Sequence, residues 1–135
     1  MDKGGVPKIR NYQDLVVFQK ARELAALTIN VTKRFPDEEK YNLVAQMRAA
    51  AISISSDIAE GFRRFSPREY TRFLRIAHGS CAELESQTLI AHDVEWIPDQ
   101  DYQKMIELQG SISRMLWSLI GSLEKRKTQI RKQLG

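Results

Sequence analysis

The chain has 135 residues, 42% apolar and 28% charged, a balance that fits one folded domain and excludes an intrinsically disordered chain. A single cysteine, Cys81, excludes an internal disulfide and a multi-cysteine metal site. The longest apolar runs, such as Leu15 to Phe18, are four residues, against the about 20 that span a bilayer as a helix.

Residues 1–11 carry Lys3, Lys8 and Arg10 without an apolar core, so the sequence predicts a flexible N-terminal segment, no secretory signal and a cytoplasmic protein without a membrane partner. Beyond them, Pro36, Pro67 and Pro98 recur every 31 residues. Proline is tolerated in the first turn of a helix and poorly inside one. The spacing therefore predicts four helical segments of about 25 residues, each about 37 Å long. A helical-pair solenoid of this period needs a break inside each unit and matching residues between units, and neither is present.

In the first segment, Tyr12 to Arg34, the residues Val17, Ala21, Leu24, Thr28, Val31 and Phe35 form one helical stripe, with Asn11 as N-cap. The second opens after Pro36 with Asp37, Glu38 and Glu39, acidic where the helix dipole favours them. Its stripe is Leu43, Met47, Ala50, Ile54 and Ile58, with Gly61 as the expected stop. Ser66-Pro67-Arg68-Glu69 then gives the clearest helix start: a capping serine, a proline at the first helical position and a glutamate three residues after the cap. Tyr70, Phe73, Ala77, Cys81, Leu84, Thr88 and Ala91 follow. The fourth helix is expected from near Pro98 to Asp101, with a stripe of Met105, Leu108, Ile112, Met115, Leu119 and Leu123, widened by Leu116 and Ile120.

Short connections between long helices make each return beside its predecessor, so the predicted fold is all-α, an up-down-up-down antiparallel four-helix bundle over residues 12–123, with a basic helix end or tail over 124–135. Gly79, Gly110 and Gly121 cost about 1 kcal/mol each inside helices and are expected to have packing reasons. Val16, Phe18, Ala25 and Ile29, together with Ile106, Trp117 and Ile120, exceed one apolar stripe per helix. That surplus predicts a homo-oligomer.

The chemistry of enzymes is thin here. His78 and His92 are preceded three residues earlier by Arg75 and Leu89, so the Glu-x-x-His motif of di-iron bundles is missing, as is zinc spacing. No cofactor is expected. His78 and Cys81 lie three apart on one helix, the spacing of a base and a nucleophile, yet Cys81 sits on the apolar stripe and reads as a small hydrophobe. His78-Gly79-Ser80 is a remote match to histidine phosphotransfer bundles, without the lysine that usually follows. Asp57 and Glu60 are expected to pair with Arg48, Arg63 or Arg64.

The cations are more informative. The net charge of +4 equals that of residues 124–135 alone, where Lys125, Arg126, Lys127, Arg131 and Lys132 stand against Glu124. Two readings fit this tail: an anionic partner such as RNA, DNA or an acidic membrane face, or a solvated helix end favoured by the dipole. Arg68, Arg72 and Arg75 share one helix face, and Arg63 and Arg64 precede them with Phe62 and Phe65 interleaved. Arginine beside aromatics holds phosphate and stacks on bases; the plain alternative is a solvated face with Phe62 and Phe65 turned inward.

The stretch Ala50-Ala51-Ile52-Ser53-Ile54-Ser55-Ser56-Asp57-Ile58-Ala59-Glu60-Gly61, with Arg64, Ser66, Glu69, Tyr70 and Phe73-Leu74, then Ile76-Ala77-His78-Gly79-Ser80-Cys81-Ala82-Glu83-Leu84-Glu85-Ser86-Gln87, resembles a known family. Asp14-Leu15-Val16-Val17-Phe18-Gln19-Lys20-Ala21 and Phe35-Pro36 match it too. These are the four-helix-bundle proteins encoded in intervening sequences of bacterial large-subunit ribosomal RNA genes. The resemblance, over about Asp14 to Leu123, implies a homopentamer of bundles with no established enzymatic activity. It also implies kinship with the pentameric accessory variability proteins of diversity-generating retroelements, which bind nucleic acid and a reverse transcriptase. Asp57 stands where the family commonly has asparagine, His78 where a basic residue is usual, and Cys81 where leucine is frequent. The expectation is an RNA-associated, non-catalytic oligomer; a protein–protein scaffold is the alternative.

Overall fold

The apolar stripes become four α-helices in the structure, a computed structural model that describes residues 8–134 apart from the side chains of Lys127, Gln129 and Ile130. They are α1 (Val16–Thr32), α2 (Leu43–Phe62), α3 (Pro67–Asp93) and α4 (Asp99–Leu134), with 3-10 turns at Tyr12–Asp14 and Asp37–Glu39. No strand occurs among the described residues, so the chain is all-α. Residues 1–7 of the expected flexible segment lie outside the described residues. No helix among the described residues is long and apolar enough to cross a membrane.

Each helix packs on two others, α2 on α1 and α3, and α4 on α3 and α1. Between them lies one core, in which Leu24, Met47, Ile54, Ile58, Leu74, Leu84, Met105, Ile112 and Leu116 are fully buried. Each such side chain contributes about 1.5–3 kcal/mol of burial free energy. Of the polar residues admitted to it, Thr28 and Thr88 donate to the carbonyls of Leu24 and Leu84 at 2.7 Å, and Gln109 Nε2 donates to Thr88 Oγ1 at 2.9 Å, while the side-chain oxygens of Gln87 and Gln109 are buried without a hydrogen-bond partner among the described residues.

The helix starts differ in how they are made. Ser66 Oγ accepts from the Glu69 amide at 3.3 Å with Pro67 at the first helical position, as the sequence predicts. Asn11 caps the 3-10 turn and not α1 itself, in a capping box with Asp14. The acidic residues after Pro36 form a separate 3-10 turn, and α2 begins only at Leu43, whose amide is accepted by Glu39 Oε2 at 3.3 Å. α3 ends in a Schellman motif, with Trp96 N bonded to Ala91 O at 2.9 Å and Glu95 N to His92 O at 3.0 Å. Glu95 takes the left-handed position at φ 65°, where glycine is usual. Next to it His92 stacks on Tyr102 at 3.8 Å and its Nε2 meets Asp99 Oδ1 at 2.7 Å.

Several expectations are corrected. Gly61 does not end α2, which continues to Phe62; a Cβ there would lie 2.8 Å from Phe73 Cβ, so the glycine permits α2 and α3 to approach. Gly79 and Gly121 have open space where a Cβ would stand, and Gly110 faces only the flexible end of Arg114, so none packs against a neighbouring helix of this chain. The buried face of α4 is rotated toward Gln109, Leu116 and Ile120, leaving Leu108, Met115 and Leu119 half-buried. Ile120 is therefore core and no part of the apolar surplus, and Phe18 packs on the core beside Tyr12. Val16 and Trp117 stay exposed, at 54% and 64%.

Candidate nucleic-acid interface

α2 ends at Phe62 and α3 begins at Pro67, which leaves Arg63, Arg64, Phe65 and Ser66 to turn the corner. Arg63 N and Arg64 N still bond back to Ala59 O and Gly61 O, at 3.3 and 3.1 Å, and the Ser66 cap fixes the far side. Phe62 turns inward and meets Tyr70 edge-on at 6.1 Å. Phe65 does the opposite. Its ring is fully exposed, at 106%.

The arginines around it are held in place by aromatic rings. The guanidinium carbons of Arg64 and Arg72 lie 4.9 and 4.7 Å from the Phe73 ring centre, and that of Arg63 lies 5.4 Å from Tyr12. Stacking of this kind fixes the planar group while leaving its edge donors open. Arg72 Nε also donates to Glu69 Oε2 at 2.8 Å, and that hydrogen bond, with the charge of Arg72, holds the Glu69 carboxyl below the usual carboxylate range. Arg68 is exposed one turn before Arg72.

Partners across α3 and α4 run in opposite order along the two helices: His92 with Asp99, Thr88 with Gln109, His78 with Ser113, and Arg75 with Glu124. This ordering brings the start of α3 to the end of α4. The arginine cluster and the tail, distant in sequence, thus share one end of the molecule. Leu123 is the last buried residue among those described, yet α4 continues to Leu134, with Lys125, Arg126, Arg131 and Lys132 exposed; the side chain of Lys127 lies outside the described residues. At 36 residues, α4 is about 54 Å long.

The other candidates are not assembled. Cys81 is buried, its Sγ donates to Gln109 O at 3.5 Å, and burial with the nearby Glu85 charge pushes the thiol up to about 12. His78 Nε2 instead meets Ser113 Oγ at 3.1 Å, with its ring 5.7 Å from Trp117, so histidine and cysteine face different partners. Asp57 accepts from Ser53 Oγ at 3.0 Å, and Arg48 donates to Thr32 Oγ1 at 2.9 Å. The expected pairing of Asp57 and Glu60 with Arg48, Arg63 or Arg64 is not found among the described residues, because those arginines are drawn to α1 and to aromatic rings. No cluster of three or more His, Cys, Asp or Glu side chains suited to a metal ion occurs among the described residues. The sequence placed Phe65 among the arginines without naming it as a site residue, and the alternative that both Phe62 and Phe65 turn inward fails for Phe65, which is fully exposed.

Residues 13–118 match the family described as 23S rRNA-intervening sequence protein. The chain belongs to that family. The match includes the whole arginine cluster and stops short of the tail, so the basic end of α4 lies beyond the matched span of this intervening sequence protein. The chain is also similar to a crystal structure of a protein of unknown function from the S23 ribosomal protein family of Bacteroides thetaiotaomicron VPI-5482, with 25% identity, a TM-score of 0.72, and coverage of 78% of this chain and 98% of that one. No curated protein matches the chain significantly.

Proposed function

We propose that this protein is a non-catalytic, oligomeric RNA-binding bundle of up-down-up-down antiparallel topology that takes the phosphate backbone on its basic end. The observation that carries the reading is the convergence of Arg63, Arg64, Arg68, Arg72 and Arg75 with Lys125, Arg126, Arg131 and Lys132 at one end, joined at the Arg75–Glu124 pair. Repetition around a homo-oligomer, five-fold as the resemblance implies, multiplies a monomer charge of only +4. Exposed Val16 and Trp117 support assembly through an apolar face. Nothing in the cluster resembles a set for reading base edges, so preference among sequences is weak.

Filter binding of single-stranded RNA tests this. Arg68→Ala/Arg72→Ala and a chain ending at Leu123 are each expected to bind more weakly than wild type while retaining helix content. Equal binding by both would reduce these surfaces to solvated faces and favour the alternative, a scaffold that docks a partner protein.

A further inference from the structure

We infer that Phe65 is a stacking platform for an unpaired base, so that the α2–α3 corner selects single-stranded over duplex RNA. The inference rests on the RNA-binding reading above and names the form of RNA it takes.

A fully exposed phenylalanine forgoes about 1.5–3 kcal/mol of burial free energy, and nothing in the packing of this corner explains it. The residue is not on a loose loop. The preceding amides remain bonded to the last turn of α2, and the following Ser66 caps α3, so the ring stands on a four-residue corner held from both sides. The residues beside it are cationic: Arg63 and Arg64 precede it directly, and Arg68 follows in the first turn of α3. Arg63 and Arg64 are seated on Tyr12 and Phe73, which orders each guanidinium before any ligand arrives.

An exposed ring amid preordered cations matches the chemistry of one ligand class. In a single strand every base has a free face for an aromatic ring, and its phosphates lie within reach of flanking cations. In a duplex the bases are already stacked on one another, and only phosphates and sugars are offered. A protein partner that anchors on Phe65 would bring apolar surface and acids to this corner and would gain nothing from phosphate, so the probes below distinguish it from a nucleic acid.

The test is fluorescence anisotropy with three probes of equal length: an unstructured oligouridine RNA, an abasic sugar–phosphate strand, and a blunt RNA duplex. Wild type, Phe65→Ala and Phe65→Trp are compared, with a thermal melt of each; the exposed position predicts unchanged melting. The expected result is that wild type prefers oligouridine, that Phe65→Ala loses about tenfold on it, and that abasic-strand and duplex binding hardly change. Phe65→Trp is expected to keep the preference. If Phe65→Ala binds oligouridine as wild type does, or loses equally on the abasic strand, the stacking inference is overturned while the RNA reading stands. If wild type binds none of the probes, both fall, and the exposed ring is left to a protein partner.

Discussion

Arg75 Nη2 donates to Glu124 Oε1 at 3.3 Å, and this pair is where the arginine face of α3 meets the basic end of α4. Both side chains are about half exposed, so the pair adds little to stability. Its importance is positional, because Glu124 is the one acid of residues 124–135. Glu124→Gln is expected to tighten RNA binding a few-fold and change Tm little, as surface substitutions do, by less than about 0.5 kcal/mol of stability. Anisotropy with an RNA probe and a thermal melt measure the two effects; weaker binding would show that the glutamate organises the site.

Glu95 occupies the left-handed C′ position that ends α3, at φ 65°. A side chain there costs about 1–2 kcal/mol relative to glycine, part of which the flexibility of glycine in the unfolded chain takes back. Glu95→Gly is expected to stabilise by up to about 1 kcal/mol, a rise of about 3–5 °C in Tm for a domain of this size. A fall in Tm on calorimetry would mean that the Glu95 side chain makes a contact worth more than the backbone strain.

Gly61 is expected to respond to alanine oppositely from Gly79 and Gly121. Gly61→Ala would set its Cβ 2.8 Å from Phe73 Cβ and 3.3 Å from the Tyr70 carbonyl, neither of which can swing aside. Overpacking of about 1–3 kcal/mol outweighs the about 1 kcal/mol gained in helix propensity, so the protein is destabilised. Gly79→Ala and Gly121→Ala meet open space and are expected to stabilise by up to about 1 kcal/mol each. Denaturant titration distinguishes them. A loss of stability at Gly79 or Gly121 would place that residue in a contact between copies.

Much of this fold was legible in apolar spacing. Val17, Ala21, Leu24, Thr28, Val31 and Phe35 are all buried, and the Ser66-Pro67 start is placed correctly, because a stripe and a cap are local signals. What failed depended on neighbours. Two helical stripes differing by one position fit the apolar residues of α4, and only packing against α1 and α3 selects Gln109, Leu116 and Ile120. Likewise α2 waits for Leu43 because a side chain from the preceding turn, Glu39, supplies its cap. At the candidate site, the basic residues were legible as a list, but their convergence needed the 49-residue reach from Arg75 to Glu124. Phe65 was legible as an aromatic among arginines, but the sequence left its direction open, and only the fold shows its ring fully exposed and not turned inward.

Burial raises the Asp57 carboxyl above its ordinary value, opposed by the Ser53 hydrogen bond and helped by the Glu60 charge. The folded protein therefore binds this proton more tightly than the unfolded chain. The resulting cost is absent where the carboxyl is protonated in both states and appears as pH rises through its titration, reaching its full size at neutral pH. Asp57→Asn is expected to raise Tm at pH 7 and to lose that advantage toward about pH 3. An advantage that stays constant with pH would assign the gain to something other than charge burial.

The central claim is that RNA phosphates are held by the combined basic end, and the salt dependence of affinity tests it most directly. Neutralised phosphates release counterions, so a plot of log affinity against log salt for single-stranded RNA falls with a slope of about −0.7 per contacted phosphate. Measured by anisotropy across a salt series, wild type is expected to give a steep line. The chain ending at Leu123 and Arg68→Ala/Arg72→Ala should each give a shallower one, by about 0.7 for every contact removed. A wild-type affinity indifferent to salt, or identical slopes in all three proteins, would contradict the account.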